Sequence, residues 1–236
     1  MKKKLLSIIL TVLIILTCSV SSFAQTGIVE TSSKISRDTI ITKDNLNEIL
    51  KLYGIDATEL KKSDAPVSQA AMTVGQLEDA INLIRSETED QIITEIIDNG
   101  EIVGSDGTLI SPRATPVTGS VYLSHTTSPM STFDATYTCT GTYTKDLFSG
   151  YKAWTGADNA SVTINDKSAP GAKRQLDSVS SIGATYTGST VTLSTTYVVG
   201  YYLVIGIPDS PFSYEQYMSS NTIRNTSYWG TSYIPD

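Results

Sequence analysis

Histidine is all but missing from this chain: among 236 residues, His125 is the only one. Cysteine occurs twice, as Cys18 and Cys139. A typical zinc site draws three or four ligands, mostly from these two residue types, so the inventory argues against a metal centre and no metal ligand is assigned. A disulfide scaffold is excluded too, because only Cys139 remains once the leader described below is removed. Cys139 alternates with Thr138 and Thr140 on an expected strand and reads as a small buried hydrophobe. Charged residues make up 17% of the chain, and the formal net charge is −7. A sparse, acidic surface is a poor partner for nucleic acid or anionic lipid.

Catalytic motifs are equally scarce. No phosphate-binding loop, dinucleotide fingerprint or Gly-x-Ser-x-Gly elbow is present, and no cofactor is expected. A Ser-His-Asp arrangement would have to use His125, in Ser124-His-Thr-Thr-Ser128, with Asp134, Asp158 or Asp177 as its orienter. Nothing in the spacing draws these together, and His125 reads as an exposed turn residue at the end of a strand. A glycosidase needs only two carboxylates. Most acids of the second half, such as Asp166 and Asp209, sit in turn-like settings where a side chain bonds to nearby backbone N–H groups. Asp158-Asn159 and Asn165-Asp166 offer oxygens to calcium, without the regular spacing of a calcium loop.

Long apolar runs are also lacking, with one exception. Lys2-Lys3-Lys4 precedes Leu5–Leu16, which is almost wholly apolar, and Ser22-Phe23-Ala24 supplies a small-x-small pattern before Gln25. Residues 1–24 therefore read as a secretory signal peptide, cleaved between Ala24 and Gln25. Thr17, just before Cys18, disfavours lipid anchoring at that cysteine. Losing three lysines takes the formal charge from −7 to −10. The mature protein is expected to be secreted, with no stable membrane span.

What is present divides near residue 115. Residues 25–114 hold 16 acids against 8 bases, whereas residues 115–236 hold 8 against 6. Twelve of the 13 tyrosines and both tryptophans lie in the second part. Two such parts are not expected to share one uniform core. Residues 25–110 read as mainly helical. Thr42 caps a helix with Leu46, Ile49, Leu50 and Tyr53 on its apolar face, and Gly54 ends it. Thr73-Val-Gly-Gln76 has the form of a capping box. The helix behind it aligns Leu77, Ile81, Ile84, Ile92 and Ile96, with Thr88 as a weak spot and Asn99-Gly100 as the stop. Ser105-Asp106-Gly107 reads as a turn and residues 111–116, with two prolines, as a linker.

From residue 117 to 236 the chain reads as strands. Ala135-Thr-Tyr-Thr-Cys-Thr-Gly-Thr-Tyr-Thr144 puts threonine at every second position, giving one wettable and one packable face. Seven strands are expected, at 117–124, 133–143, 161–165, 178–187, 190–199, 201–207 and 228–234. Gly188-Ser189 is the hairpin turn and Gly200 a bulge. Tyr201 and Tyr202 must point to opposite faces. The fold class is thus α+β, a short helical region followed by an antiparallel β-sandwich, with an Ig-like arrangement or a small barrel as alternatives.

The expected function is a secreted, non-enzymatic binding or surface-interaction protein, its partner a glycan or an envelope protein. Trp154, Trp229 and Tyr228, flanked by Gly, Ser and Thr, are its candidate ligand-binding residues, because such rings stack on sugars or anchor proteins. One alternative is a secreted toxin or bacteriocin-like effector, silenced by a pro-segment removable near Arg113. Another is a carboxylate-based hydrolase.

Overall fold

A computed structural model describes residues 35–63, 71–87, 91–94, 101–105, 116–147, 149–167, 170–208, 210 and 213–236. The expected signal peptide with Cys18 and Ala24, the residue Gln25 after it, the expected turn at Asp106-Gly107, the expected Asn99-Gly100 stop and most of the expected linker, including Arg113, lie outside the described residues.

Two short helices come first. Helix α1 spans Leu46–Leu52 and buries Leu46, Ile49 and Leu50. Its N-cap position is Asn45 and not Thr42; the Asn45 side chain caps no helix N–H and instead holds the entering chain, Oδ1 accepting from the Thr42 N–H at 2.7 Å and the amide donating to the Ile40 carbonyl. Gly54, at φ +72°, ends the helix as expected, in the left-handed region that favours glycine. A 3₁₀ turn at Ala57–Glu59 follows, capped by the Asp56 carboxylate, which accepts from the Thr58 N–H at 2.9 Å and from the Thr58 hydroxyl at 2.8 Å.

Helix α2 spans Val74–Ser86 and opens on the expected capping box, Thr73 Oγ1 accepting from Gln76 N and Gln76 Oε1 from Thr73 N. Leu77, Ile81 and Ile84 line its buried face. The helix then stops at Ser86, six residues before Ile92, and this corrects the longer helix expected from the stripe that included Ile92 and Ile96. Gln91–Thr94 forms a strand, β2. Glu87, the first residue past the helix, turns inward and binds groups on three other elements. It accepts from Thr132 Oγ1 at 2.6 Å and from Arg174 Nη2 at 2.9 Å, and its carbonyl accepts from the Asn221 amide. β-branched residues then suit the pleated continuation better than a helix.

The remaining strands are β1 (Lys61–Ser63), β3 (Glu101–Ser105), β4 (Val117–Met130), β5 (Phe133–Lys145), β6 (Lys152–Asp166), β7 (Ala172–Tyr186), β8 (Thr190–Ile205) and β9 (Ser213–Gly230). Among the described residues they make two sheets. One runs β3-β4-β5-β6 and is antiparallel throughout. The other runs β9-β8-β7, with β1 antiparallel and β2 parallel on the free edge of β9. So the first half of the chain is less helical than its composition suggests, and it supplies strands to both sheets.

Six long strands replace the seven shorter ones expected. The break expected at Gly200 is absent, because pairing runs through it on both sides, and the ladder absorbs extra residues elsewhere, at Asp177 and Ser180 on β7 and Met218 on β9. Gly200 is not the bulge. It is glycine because a Cβ there would stand 2.0 Å from the Asp177 carboxylate. The Gly188-Ser189 hairpin forms as expected, with Thr187 N donating to Thr190 O at 2.7 Å. His125 lies mid-strand in β4, opposite Tyr137, and not at a strand end. Beyond Gly230 the chain forms a 3₁₀ turn at Thr231–Tyr233 in place of a last strand.

Alternation decides what is buried. Phe133, Ala135, Tyr137 and Cys139 face inward from β5, and Leu193, Tyr197, Val199 and Tyr201 from β8. The sheets meet through Tyr137 and Tyr197, whose hydroxyls lie 2.8 Å apart. Ile41, Ile49, Leu77 and Ile84 of the first part belong to the same cluster. One core therefore spans the compositional boundary, contrary to expectation. Among the described residues no helix is long and apolar enough to cross a membrane.

Candidate ligand-binding groove

The aromatic residues singled out in the sequence do not form a site. Trp154 is 2% exposed and Trp229 is fully buried. The Trp154 indole packs edge-on against Tyr143, at 6.4 Å and 84°, over Gly141, where a Cβ would stand 2.5 Å from the ring. Neither ring offers a face to a ligand, which corrects their assignment. The physical reason is volume: phenylalanine is scarce, and the core between the sheets takes the indoles instead. Tyr228 is half-buried on β9, opposite Thr192. At about 3.3 Å per residue it lies roughly 35 Å along the strand from the residues described next.

A groove of about 430 Å³ opens where β9 passes the 3₁₀ turn and β1. The turn contributes Thr58, Glu59 and Leu60, strand β1 contributes Lys61, and β8 and β9 contribute Tyr202 and Glu215–Tyr217. Tyr202 and Tyr217 are register partners on the outer face of the sheet. Their rings meet edge-to-face at 5.7 Å and 71°, and Tyr217 remains 52% exposed. Tyr202 O–H donates to Asp177 Oδ1 at 2.8 Å. Burial first, then that acidic partner, push the phenol up to about 12, so Tyr202 stays a neutral donor at ordinary pH.

Charged groups surround the rings. Glu215 Oε1 accepts from Lys173 Nζ at 3.1 Å and from Ser63 Oγ at 2.5 Å. The same ammonium sits 5.7 Å above the Tyr202 ring, a cation–π arrangement. Gln216 Nε2 donates to Glu59 Oε2 at 3.2 Å. A carboxylate only accepts, so this bond fixes which end of the amide is nitrogen. The other end, Oε1, is buried and has no hydrogen-bond partner among the described residues; Gln216 pairs with the buried Leu203, so its side chain takes the face of the sheet opposite to Tyr217 and Tyr202. An unsatisfied buried acceptor costs about 1–3 kcal/mol.

Sequence reasoning reached one part of this site. The rule that Tyr201 and Tyr202 take opposite faces holds: Tyr201 is in the core and Tyr202 on the outer face. Gln216, Glu59, Lys173 and Tyr217 carry no local signal, since they come together only when β1, β7, β8 and β9 align. Comparison of this chain with protein-family models, with curated proteins and with solved structures finds no match in any of the three.

Proposed function

We propose that this chain is a secreted, non-enzymatic binding protein on an antiparallel β-sandwich, and that its groove takes a glycan of a cell envelope. The observation that carries the reading is the exposed Tyr217 ring, set edge-to-face against Tyr202 in the lining of the groove. That ring offers an apolar face to sugar C–H groups, while Glu59, Lys61 and Glu215 in the same lining offer polar partners. An apolar platform with a few convergent polar groups is the usual make-up of a small-ligand cleft. Titration of the mature chain with envelope oligosaccharides, followed by calorimetry, is expected to show saturable binding. Tyr217→Ala is expected to weaken it at least tenfold with the melting temperature unchanged. Binding unaffected by Tyr217→Ala removes the groove as the site.

A second reading rests on one observation: two carboxylates, Glu59 and Glu215, line the same groove. A pair of carboxylates is the minimum equipment for glycoside hydrolysis. Against it, Glu215 is already engaged by Lys173 and Ser63. Shortened oligosaccharides in the same titration mixtures, absent with Glu59→Gln, decide for the hydrolase; intact ligand after prolonged incubation decides for simple binding.

A further inference from the structure

One of the two sheets has a covered edge and an open one. Strands β1 and β2 cover β9, whereas β7 pairs with β8 alone. Strand β6 is tied to β7 and its hairpin at the ends: Trp154 N–H donates to the Gly188 carbonyl at 3.0 Å, and Arg174 N–H to Asp166 Oδ2 at 3.1 Å. Between these points no backbone hydrogen bond joins β6 to β7 among the described residues. Residues 177–186 are exposed, apart from half-buried Ala184. Val179, Ile182 and Tyr186 are 41%, 37% and 50% exposed, although their partners on β8, Tyr197, Thr195 and Val191, are buried. The core-facing row of β7 is therefore apolar and uncovered.

The backbone of this edge is unpaired as well. Thr187 N–H donates to the Thr190 carbonyl. Alternation along an antiparallel ladder then turns the N–H and C=O groups of Ser181, Gly183 and Thr185 to β8, and those of Ile182, Ala184 and Tyr186 to the open side. Such a row is a template for another strand, and native edges usually guard it with charge or proline. Residues 178–186 contain neither. Both bulges of β7 lie before residue 181, so the run from there to Thr187 is regular.

We infer that this edge pairs antiparallel with the same edge of a second copy, giving a two-fold dimer through one continuous sheet. Three observations favour a copy over a foreign strand. The chain carries a formal charge of −7, so two copies repel unless they meet through a neutral surface, and this edge is neutral. The edge is also complementary to itself. With Ala184 on the two-fold axis, Ile182 of each copy stands beside Tyr186 of the other, an aromatic and a β-branched side chain in a favourable cross-strand pair. On the opposite face Gly183 meets Thr185, and Ser181 meets Thr187. Finally, β1 and β2 already occupy the far edge, so pairing through β7 closes at two copies. A two-fold axis normal to the sheet keeps one face outward in both, which places the Tyr202 and Tyr217 rings of both copies on one surface. Dimer formation is independent of what the groove binds.

Light scattering on a dilution series of the mature chain is expected to give twice the chain mass, falling to one chain mass when dilute. Added salt is expected to shift that transition to lower concentration by screening the negative charge. Ile182→Lys places a charge on the edge, and Ala184→Pro removes an N–H that faces away from β8. Both are expected to have one chain mass wherever the parent has two, and Ile182→Lys to keep the denaturant midpoint of the dilute parent. Ile182→Lys, at an exposed site, decides alone if Ala184→Pro misfolds. Ala184→Cys is expected to give a disulfide-linked dimer on oxidation, because the two Cα atoms on the axis stand about 5.5 Å apart. Cys139, the other cysteine of the mature chain, is buried. A parent of one chain mass at every concentration overturns the inference and leaves the edge to a foreign strand. A dimer that survives Ile182→Lys overturns it as well, since another surface then holds the copies. Growth beyond two chains overturns the closed two-fold arrangement.

Discussion

Cys139 shows how far a single residue can be read. Its alternation with threonines marks it as a buried strand residue, and the structure has it as a free cysteine, fully buried. Burial first, and then the nearby Asp158, raise its thiol from 9.0 to about 12. The neutral thiol is the buried form, so an unfolded chain loses this proton before the folded one does. The folded state keeps its full advantage below about pH 9 and loses it as pH rises towards 12. Tyr201 and Tyr202, also raised to about 12 from 10.0, add to the same loss from about pH 10. Denaturant midpoints measured from pH 7 to 11 are expected to be flat and then to fall above about pH 9. Cys139→Ala should delay the onset towards pH 10; an unchanged onset would show that the cysteine does not titrate in the unfolding equilibrium. Gln216 is the opposite case. Nothing in Glu215-Gln-Tyr217 announces a buried acceptor, because its meaning depends on Glu59, 157 residues away.

At the scale of elements, boundaries set by adjacent residues were legible and boundaries set by distant partners were not. The capping box at Thr73 and Gln76 involves four consecutive residues, so sequence alone suffices to place it. Thr73→Ala is expected to cost about 0.5–2 kcal/mol, read as a lower denaturant midpoint at unchanged slope. A midpoint within error of the parent would show that α2 is held by packing alone. The far end of α2 follows from Glu87, whose partners Thr132, Arg174 and Asn221 are 45, 87 and 134 residues distant. No window on the sequence contains them. The strands behave likewise. Their faces follow from period-two alternation, but their lengths depend on the neighbouring strands, which carry pairing straight through Gly200 where local reasoning sees a break.

For the whole molecule, the interesting boundary is the one composition draws near residue 115. A removable pro-segment requires that the first part leave. Yet β1 and β2 pair with β9, β3 pairs with β4, and α2 contributes to the shared core. Glu87 adds a buried ion pair to an Arg174 side chain that is fully buried. Breaking such a pair from one side costs about 3–5 kcal/mol. Nicking the protein with trypsin at Arg113 is therefore expected to leave both fragments in one peak on size exclusion, separating only in denaturant. Glu87→Gln should lower the denaturant concentration at which they part. Two peaks under native conditions would restore the pro-segment reading.

The sequence by itself determined the period of each strand, the hairpin at Gly188-Ser189, the glycine stop of α1 and the capping box of α2. All of these rest on interactions within a few residues, where side-chain type and spacing carry the information. It also determined that Tyr201 and Tyr202 part company across the sheet. Only the tertiary structure decided that both tryptophans belong to the core, that the acidic first part shares that core, and that the groove forms beside Gln216. These depend on which strands become neighbours and which side chains then compete for a limited interior, and neither is written in any local stretch of chain.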